Sequence, residues 1–112
     1  MTTRQVGDRG EKAAAQYLEV RGYRIHARNW KTRWCEIDIV AEKDGVVHFV
    51  EVKYRSHERQ GDGLEYITEK KLQQMAFAAE LWVANHRYAG EYVLDAIAVT
   101  GADYRVTDLI EL

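Results

Sequence analysis

The chain has 112 residues, enough for a single domain spanning residues 1–112 that buries roughly 65% of its unfolded surface. Hydrophobic residues make up 46% and charged residues 30%, the composition of a globular soluble protein, and a formal net charge of −2 argues against a dedicated nucleic-acid coat protein. No apolar run reaches the roughly 20 residues of a bilayer-spanning helix, and the first residues, Met1 to Gln5, lack the apolar stretch of a signal peptide. Cys35 is the only cysteine, which excludes an internal disulfide and points to a reducing, cytoplasmic setting with no membrane partner. The charge is unevenly spread: residues 1–34 carry +5 and the remainder −7. A basic N-terminal third can steer a polyanion to one edge; it can equally be a solvated face.

Val6 to Arg21 reads as an amphipathic helix, with Val6, Gly10, Ala13, Ala14, Tyr17 and Leu18 on one stripe and Gly22 as its stop. Gly7 and Gly10 each cost about 1 kcal/mol relative to Ala, which implies a close backbone approach or a later helix start. Glu11 borders the apolar stripe, where it is a solvated flank or reaches over a neighbouring sheet. Tyr23 to Trp30 alternates as a first strand, and Asn29 to Trp34 forms a polar, basic connection.

Glu36 to Ala41 and Val46 to Tyr54 are two β-forming runs joined through Lys43-Asp44-Gly45, and Asp-Gly between such runs signals a tight hairpin. Strand alternation puts Glu36 and Asp38 on one face. It puts Glu51 and Lys53 on the same face as Phe49, with Val50 and Val52 opposite. Ser56 to Tyr66, with Gly61-Asp62-Gly63, has no periodicity and reads as a mobile loop.

Thr68 is placed to cap a long helix, with Glu69 in its first turn. Leu72, Met75, Ala76, Ala79, Trp82, Val83 and His86 form its stripe, and Phe77 and Leu81 broaden it into a largely buried helix. Tyr88-Ala89-Gly90 ends it. Tyr92 to Thr100 is a fourth strand with Asp95 inside it, Gly101-Ala102-Asp103 is a turn, and Tyr104 to Ile110 is a fifth strand. The order α-β-β-β-α-β-β implies an α/β fold, a central mixed sheet flanked by helices. The fourth strand should run parallel to the third through the long helix.

Pairing across the hairpin brings Asp38, Glu51 and Lys53 onto one surface. Carboxylates that converge on a half-buried face repel each other and raise the pKa of at least one. A hard divalent cation relieves this, because Mg²⁺ (or Mn²⁺) takes oxygen ligands: one or two carboxylates, waters and substrate phosphate. Asp38, Glu51 and the backbone carbonyl of Val52 are the candidate ligands. Lys53 would then orient or deprotonate an attacking water during in-line displacement at a phosphodiester. The plainer alternative for Glu-x-Lys on a strand is a cross-strand charge pair.

The motifs Gly10-Glu11-Lys12-Ala13-Ala14, Gly22-Tyr23, Arg28-Asn29-Trp30, Glu36-Ile37-Asp38, Val50-Glu51-Val52-Lys53-Tyr54-Arg55 and Leu64-Glu65-Tyr66-Ile67-Thr68-Glu69-Lys70-Lys71 together cover nearly the whole chain. In this combination the chain resembles the YraN family of small predicted endonucleases. That family is similar to archaeal Holliday-junction resolvases in the PD-(D/E)xK, restriction-endonuclease-like superfamily. The resemblance implies a restriction-endonuclease-like fold, Asp38 as the metal-binding aspartate, Glu51 as the second acid, Lys53 as the catalytic lysine and Glu11 as an additional acid on the first helix. It implies a metal-dependent endonuclease acting on DNA, branched or structured DNA included, and it admits a homodimer. Ile37 stands where the superfamily pattern has proline, and Cys35 where a glycine is common.

Other residues have two readings each. Arg55, leading into the loop, is a candidate phosphate ligand. Lys70 and Lys71 open the second helix, either assisting at nucleic acid or simply solvated. Trp30 and Trp34 stack on unpaired bases or pack at a strand entry. Asp95 supports the site or caps a neighbouring helix. His26, His48, His57 and His86 show no metal-ligand spacing, and Cys35 has no partner, so no zinc site is expected. The rival to an enzyme is a nuclease-fold module that binds nucleic acid or a protein without cutting.

Overall fold

The computed structural model describes residues 1–57 and 67–112. The stretch 58–66, which takes in most of the expected loop and the Leu64-Glu65-Tyr66 motif, lies outside the described residues. The elements are α1 (Thr3–Val20), β1 (Arg24–Lys31), β2 (Glu36–Lys43), β3 (Val46–Arg55), α2 (Glu69–Asn85), β4 (Glu91–Thr100) and β5 (Arg105–Glu111). The expected α/β order is therefore the observed one. The strands form one mixed sheet in the order β1-β2-β3-β4-β5. Neighbours are antiparallel except β3 and β4, which run parallel from Val46↔Glu91 to Arg55↔Thr100.

The local signals explain most of these boundaries. Asp44 (φ 53°) and Gly45 (φ 79°) both sit in the left-handed region, as a two-residue hairpin that matches strand twist demands. Thr68 caps α2 by accepting the Lys71 N–H at 3.0 Å. The start of α1 differs from expectation: it begins at Thr3, not Val6. Thr2 and Gln5 form a reciprocal capping box, Thr2 Oγ1 accepting from the Gln5 N–H at 3.1 Å and Gln5 Oε1 from the Thr2 N–H at 2.9 Å. Gly10 is buried against Tyr54, yet a methyl there would make an ordinary 3.6 Å contact, and Gly7 faces open space. Neither glycine marks a uniquely close approach.

Each helix covers one face of the sheet. Ala14, Ala15 and Leu18 of α1 pack on Ile39, Ala41, Val50, Ile97 and Val99. Ala78, Ala79 and Trp82 of α2 pack on Ile37, Val40, Val47 and Phe49. Each fully buried Ile, Val or Phe here is worth about 1.5–3 kcal/mol relative to exposure. Val50 and Val52 lie on the α1 face and Phe49 on the α2 face, as alternation along β3 predicts.

Along β2 the alternation fails. Ile37 packs towards α2 and Ile39 towards α1, though they are two residues apart. The same happens in β1, where Ala27 and Trp30 both pack towards α2. Asn29 lies between them with φ 57°, a conformation asparagine tolerates better than most residues. Paired residues run Arg28↔Ile39 and Trp30↔Ile37, so this kink falls opposite Asp38. Glu36 and Asp38 therefore do not simply share a face.

Two further expectations are corrected. The second helix is not largely buried: Phe77 is 48% exposed. At 100° per residue it lies about 200° around the helix from Met75, off the buried stripe. Asp95 neither supports the candidate site nor caps a helix; it is buried beside His48, whose Nδ1 lies 2.5 Å from Asp95 Oδ2.

Candidate functional site

The kink in β2 leaves Asp38 between the two faces, where β2 and β3 separate beyond the Ile39↔Val50 pair. Its Oδ2 accepts the Val52 N–H at 2.8 Å, standing in for a backbone carbonyl. In a β-strand the N–H and C=O of one residue point to the same side. The Val52 carbonyl is thus directed towards the same gap as Asp38. Burial, then the neighbouring Glu51 carboxyl, which can share a proton with Asp38 and repels its charge, push the Asp38 pKa up to about 8. The Val52 N–H acts in the opposite direction, and Glu11 adds to the rise.

Glu51 comes from β3 on the α2 side. Its Oε2 lies 2.6 Å from Lys71 Nζ. Lys71 is on the sheet-facing side of α2, one turn before the buried Met75, which is why it reaches the sheet and Lys70 remains exposed. Burial pulls the Lys71 pKa down, but its bond to Glu51 and the charges of Glu51, Asp38 and Glu36 outweigh this, leaving it raised.

Glu11 approaches from the other face, on the α1 stripe that carries Ala14, Ala15 and Leu18. Its Oε1 is buried and makes no hydrogen bond among the described residues. Burial raises its pKa; Arg28 opposes this most strongly, while Asp8 and Glu36 add to it and Lys31 lowers it. Arg28 is itself 3.6 Å from Asp8, and Lys31 is 3.9 Å from Glu36. Glu11 and Glu51 thus act on Asp38 from opposite sides, Glu36 acts on Glu11 and on Lys71, and Lys71, Lys31 and Arg28 are the cations among them.

Two of the expected residues have other surroundings. Lys53 is exposed, and the lysine paired with Glu51 is Lys71. Arg55 is 8% exposed, with Nε donating to Thr100 Oγ1 at 3.1 Å and a terminal nitrogen 4.0 Å from Asp108. It ties β3 to β4 and β5. Sequence reasoning did not single out Glu36 as a member of the cluster, although its spacing two residues before Asp38 was visible. It also gave Lys71 no acidic partner, although the stripe through Met75 and Ala79 passes through position 71.

Family comparison adds one firm statement. The description "Uncharacterised protein family UPF0102" matches residues 10–99 of the chain. The chain belongs to this family. It is the YraN family that the sequence motifs resemble. A UPF0102 protein of Myxococcus xanthus is 38% identical over 93% of this chain and 83% of its own length. One from Cytophaga hutchinsonii is 36% identical over 91% and 90%, and one from Syntrophomonas wolfei 40% identical over 89% and 88%. The matched span holds Glu11, Asp38, Glu51, Lys53 and Lys71, so the whole acidic cluster lies within the UPF0102 domain.

The donor set is one of hard oxygens. The hydrogen bond and ion pair described above use Asp38 Oδ2 and Glu51 Oε2, and the two carboxyls also lie within hydrogen-bonding reach of each other, so an ion would take the place of a proton they share. Among the described residues no three His, Cys, Asp or Glu side chains converge closely enough to hold an ion by themselves. Any ion here would complete its shell with the Val52 carbonyl, water or a substrate oxygen, the pattern Mg²⁺ adopts. The Glu11 oxygen without a hydrogen bond and the upward shift of the Asp38 pKa fit such an ion, which would offset the burial and mutual repulsion of these carboxyls. No helix among the described residues is long and apolar enough to cross a membrane.

Proposed function

We propose that this UPF0102 chain is a metal-dependent endonuclease that hydrolyses phosphodiester bonds in DNA, branched or structured DNA included. What supports this is the buried Asp38 carboxyl at the gap between β2 and β3, with Glu51 and Glu11 acting on it from the β3 and α1 sides and Lys71 paired with Glu51. Asp38, Glu51 and the Val52 carbonyl would hold Mg²⁺ or Mn²⁺. Such an ion would supply Lewis-acid polarisation of the phosphoryl oxygen and a more acidic water. Lys71 offers a cation for developing phosphoryl charge, and Lys53 lies two residues beyond Glu51 on the exposed rim. Glu11, with a buried, unbonded oxygen, is suited to accept a proton from water. The adjoining groove between α1 and β1 carries Arg4 and Lys31 alongside the acids Asp8, Glu11, Glu36 and Asp38, so a phosphate backbone there would need those two cations or a bound metal to offset the carboxylates.

The test is incubation of the purified chain with branched and linear DNA plus Mn²⁺, beside Asp38→Ala, Lys53→Ala and Lys71→Ala. Asp38→Ala should lower cleavage by at least about 100-fold, in line with removal of a principal charge-stabilising group. Comparing the two lysine variants identifies which lysine serves the reaction. Cleavage that survives Asp38→Ala and both lysine substitutions rules out this site. The Glu51–Lys71 ion pair favours one alternative, a nuclease-fold module in which lysine occupies the cation's position and DNA is bound but not cut. Salt-sensitive binding with no cleavage in any divalent metal would establish that reading.

A further inference from the structure

Beside the carboxylates, between the β1–β2 turn and the first half of α2, lies a cavity of about 230 Å³. Glu36, Asp38 and Glu51 form one wall, and Trp34 and Phe77 also line it. Trp34 is 69% exposed and Phe77 48%, while Ile37, Phe49 and Met75 give the cavity a buried apolar lining. Two large aromatic rings left open to solvent beside a charged cluster cost hydrophobic energy that packing would recover. Trp34 is moreover held in place. Thr32 Oγ1 accepts the N–H groups of Trp34 at 3.1 Å and Cys35 at 3.2 Å, and the Thr32 N–H donates to the Cys35 carbonyl at 2.9 Å. A backbone fixed in this way leaves only the side-chain torsions of Trp34 to be ordered on binding. The Arg33 guanidinium carbon lies 5.4 Å from the Trp34 ring centroid.

We propose that this cavity receives one unpaired nucleobase, stacked against Trp34 and Phe77 next to the phosphate handled at Asp38 and Glu51, so that the preferred substrate is duplex DNA carrying an unpaired base. The proposal rests on the nuclease reading above, because the cavity's acidic wall is that site. A base matches each part of the lining. Its faces are flat and apolar for the two rings, its edge carries N–H donors for carboxylates, and its phosphate is an anion for Lys71, which lines the cavity. An acidic peptide side chain would bring an anion but no flat ring for Trp34 and Phe77, and a base paired within a duplex enters only by paying a few kcal/mol of unpairing and unstacking that an unpaired base is spared. The volume is below the roughly 300–1,000 Å³ of sites for drug-sized ligands and suits one ring system. On the other flank of Asp38 the groove holding Arg4, Asn29 and Lys31 leaves room for the backbone to continue.

The experiment uses the full chain in chelator, so that binding is read without cleavage. Three duplexes are compared: fully paired, with one bulged base, and with the same bulge lacking its base. Of the three tryptophans only Trp34 is largely exposed, Trp30 being half-buried and Trp82 5% exposed, so fluorescence quenching reports on Trp34. The bulged base should bind about 5- to 150-fold more tightly than the abasic bulge, the equivalent of ~1–3 kcal/mol for one stacked base. Quenching should accompany it, and Trp34→Ala combined with Phe77→Ala should bring the two bulged duplexes to parity. Both rings are exposed, so circular dichroism should show the fold retained. Equal affinities in the native chain, or discrimination that survives the double substitution, overturns the proposal. Cleavage with Mn²⁺ is scored separately. A chain that discriminates the base but cuts none of the duplexes refutes the nuclease reading and upholds the base site. A chain that cuts all three and binds both bulges alike does the reverse.

Discussion

Asp38 should destabilise the protein it belongs to, and Asp38→Asn measures by how much. Its pKa rises from 3.8 to about 8 because burial and the Glu51 carboxyl oppose its charge. At ~1.36 kcal/mol per unit, that rise corresponds to about 6 kcal/mol of preference for the neutral form in the folded state. The folded chain holds a proton that the unfolded chain releases between pH 3.8 and about 8, so stability falls as pH rises through that window. Asparagine is neutral throughout and still offers an oxygen to the Val52 N–H, in a bond weaker by about 1 kcal/mol than that of a carboxylate. The buried amide must also find a partner for its own N–H₂, which Glu51 supplies only in part. The net gain at pH 8 should be roughly 2–4 kcal/mol, or a Tm higher by about 8–20 °C for a domain of this size.

The assay is denaturant unfolding of both proteins in chelator at pH 5, 6, 7 and 8. The difference between them should shrink towards pH 5, changing by up to about 1.4 kcal/mol per pH unit in the middle of the window. A variant less stable than the native chain at pH 8, or a difference constant across the four pH values, refutes the reasoning. The first outcome would mean the Val52 bond outweighs the charge; the second, that Asp38 is not held protonated.

The remaining predictions use other parts of the molecule. Saturating Mg²⁺ or Mn²⁺ should raise the Tm of the native chain, by about 2.7 kcal/mol of added stability at one hundred times Kd, and should leave Asp38→Asn unmoved; equal shifts in both proteins would place the ion elsewhere. His48→Ala leaves the Asp95 carboxyl buried without its partner. It should cost about 3–5 kcal/mol in denaturant unfolding, with much of that recovered in His48→Ala/Asp95→Ala. Gly45→Ala should cost roughly 1–2 kcal/mol, because φ is 79° there while a methyl would meet nothing within 4 Å, so the penalty is conformational alone.

How much of this was legible in the sequence depended on how local the governing interaction is. The Asp44-Gly45 hairpin, the Thr68 cap and the parallel pairing of β3 with β4 follow from signals within a few residues or from one topological rule, and the structure has them. Phe77 was also legible, since its angular position on α2 set it off the face of Met75, but hydrophobicity alone drew it into the stripe. Arg55 was not. Its burial depends on Thr100 and Asp108, two residues more than forty positions away on strands whose pairing register no local pattern specifies.

The candidate site itself could not be derived from strand periodicity, because it exists where the periodicity breaks. With strict alternation, Asp38 would sit on one face, within reach of either α1 or α2 but not of both. Asn29 opposite it adopts φ 57°, Ile37 and Ile39 turn to different helices, and the carboxylate between them comes to lie in the gap where β2 leaves β3. From there Glu11 acts on it from the α1 side and Glu51 from the α2 side. A test of this view does not touch any acid: Asn29→Val forces a β-branched residue into a left-handed conformation it resists by about 1–2 kcal/mol. If the kink creates the site, this substitution should straighten β1 and abolish the metal-dependent rise in Tm, with the altered backbone at residues 28–30 and 37–39 read by NMR chemical shifts. A metal response equal to that of the native chain would show that the acids converge without the kink.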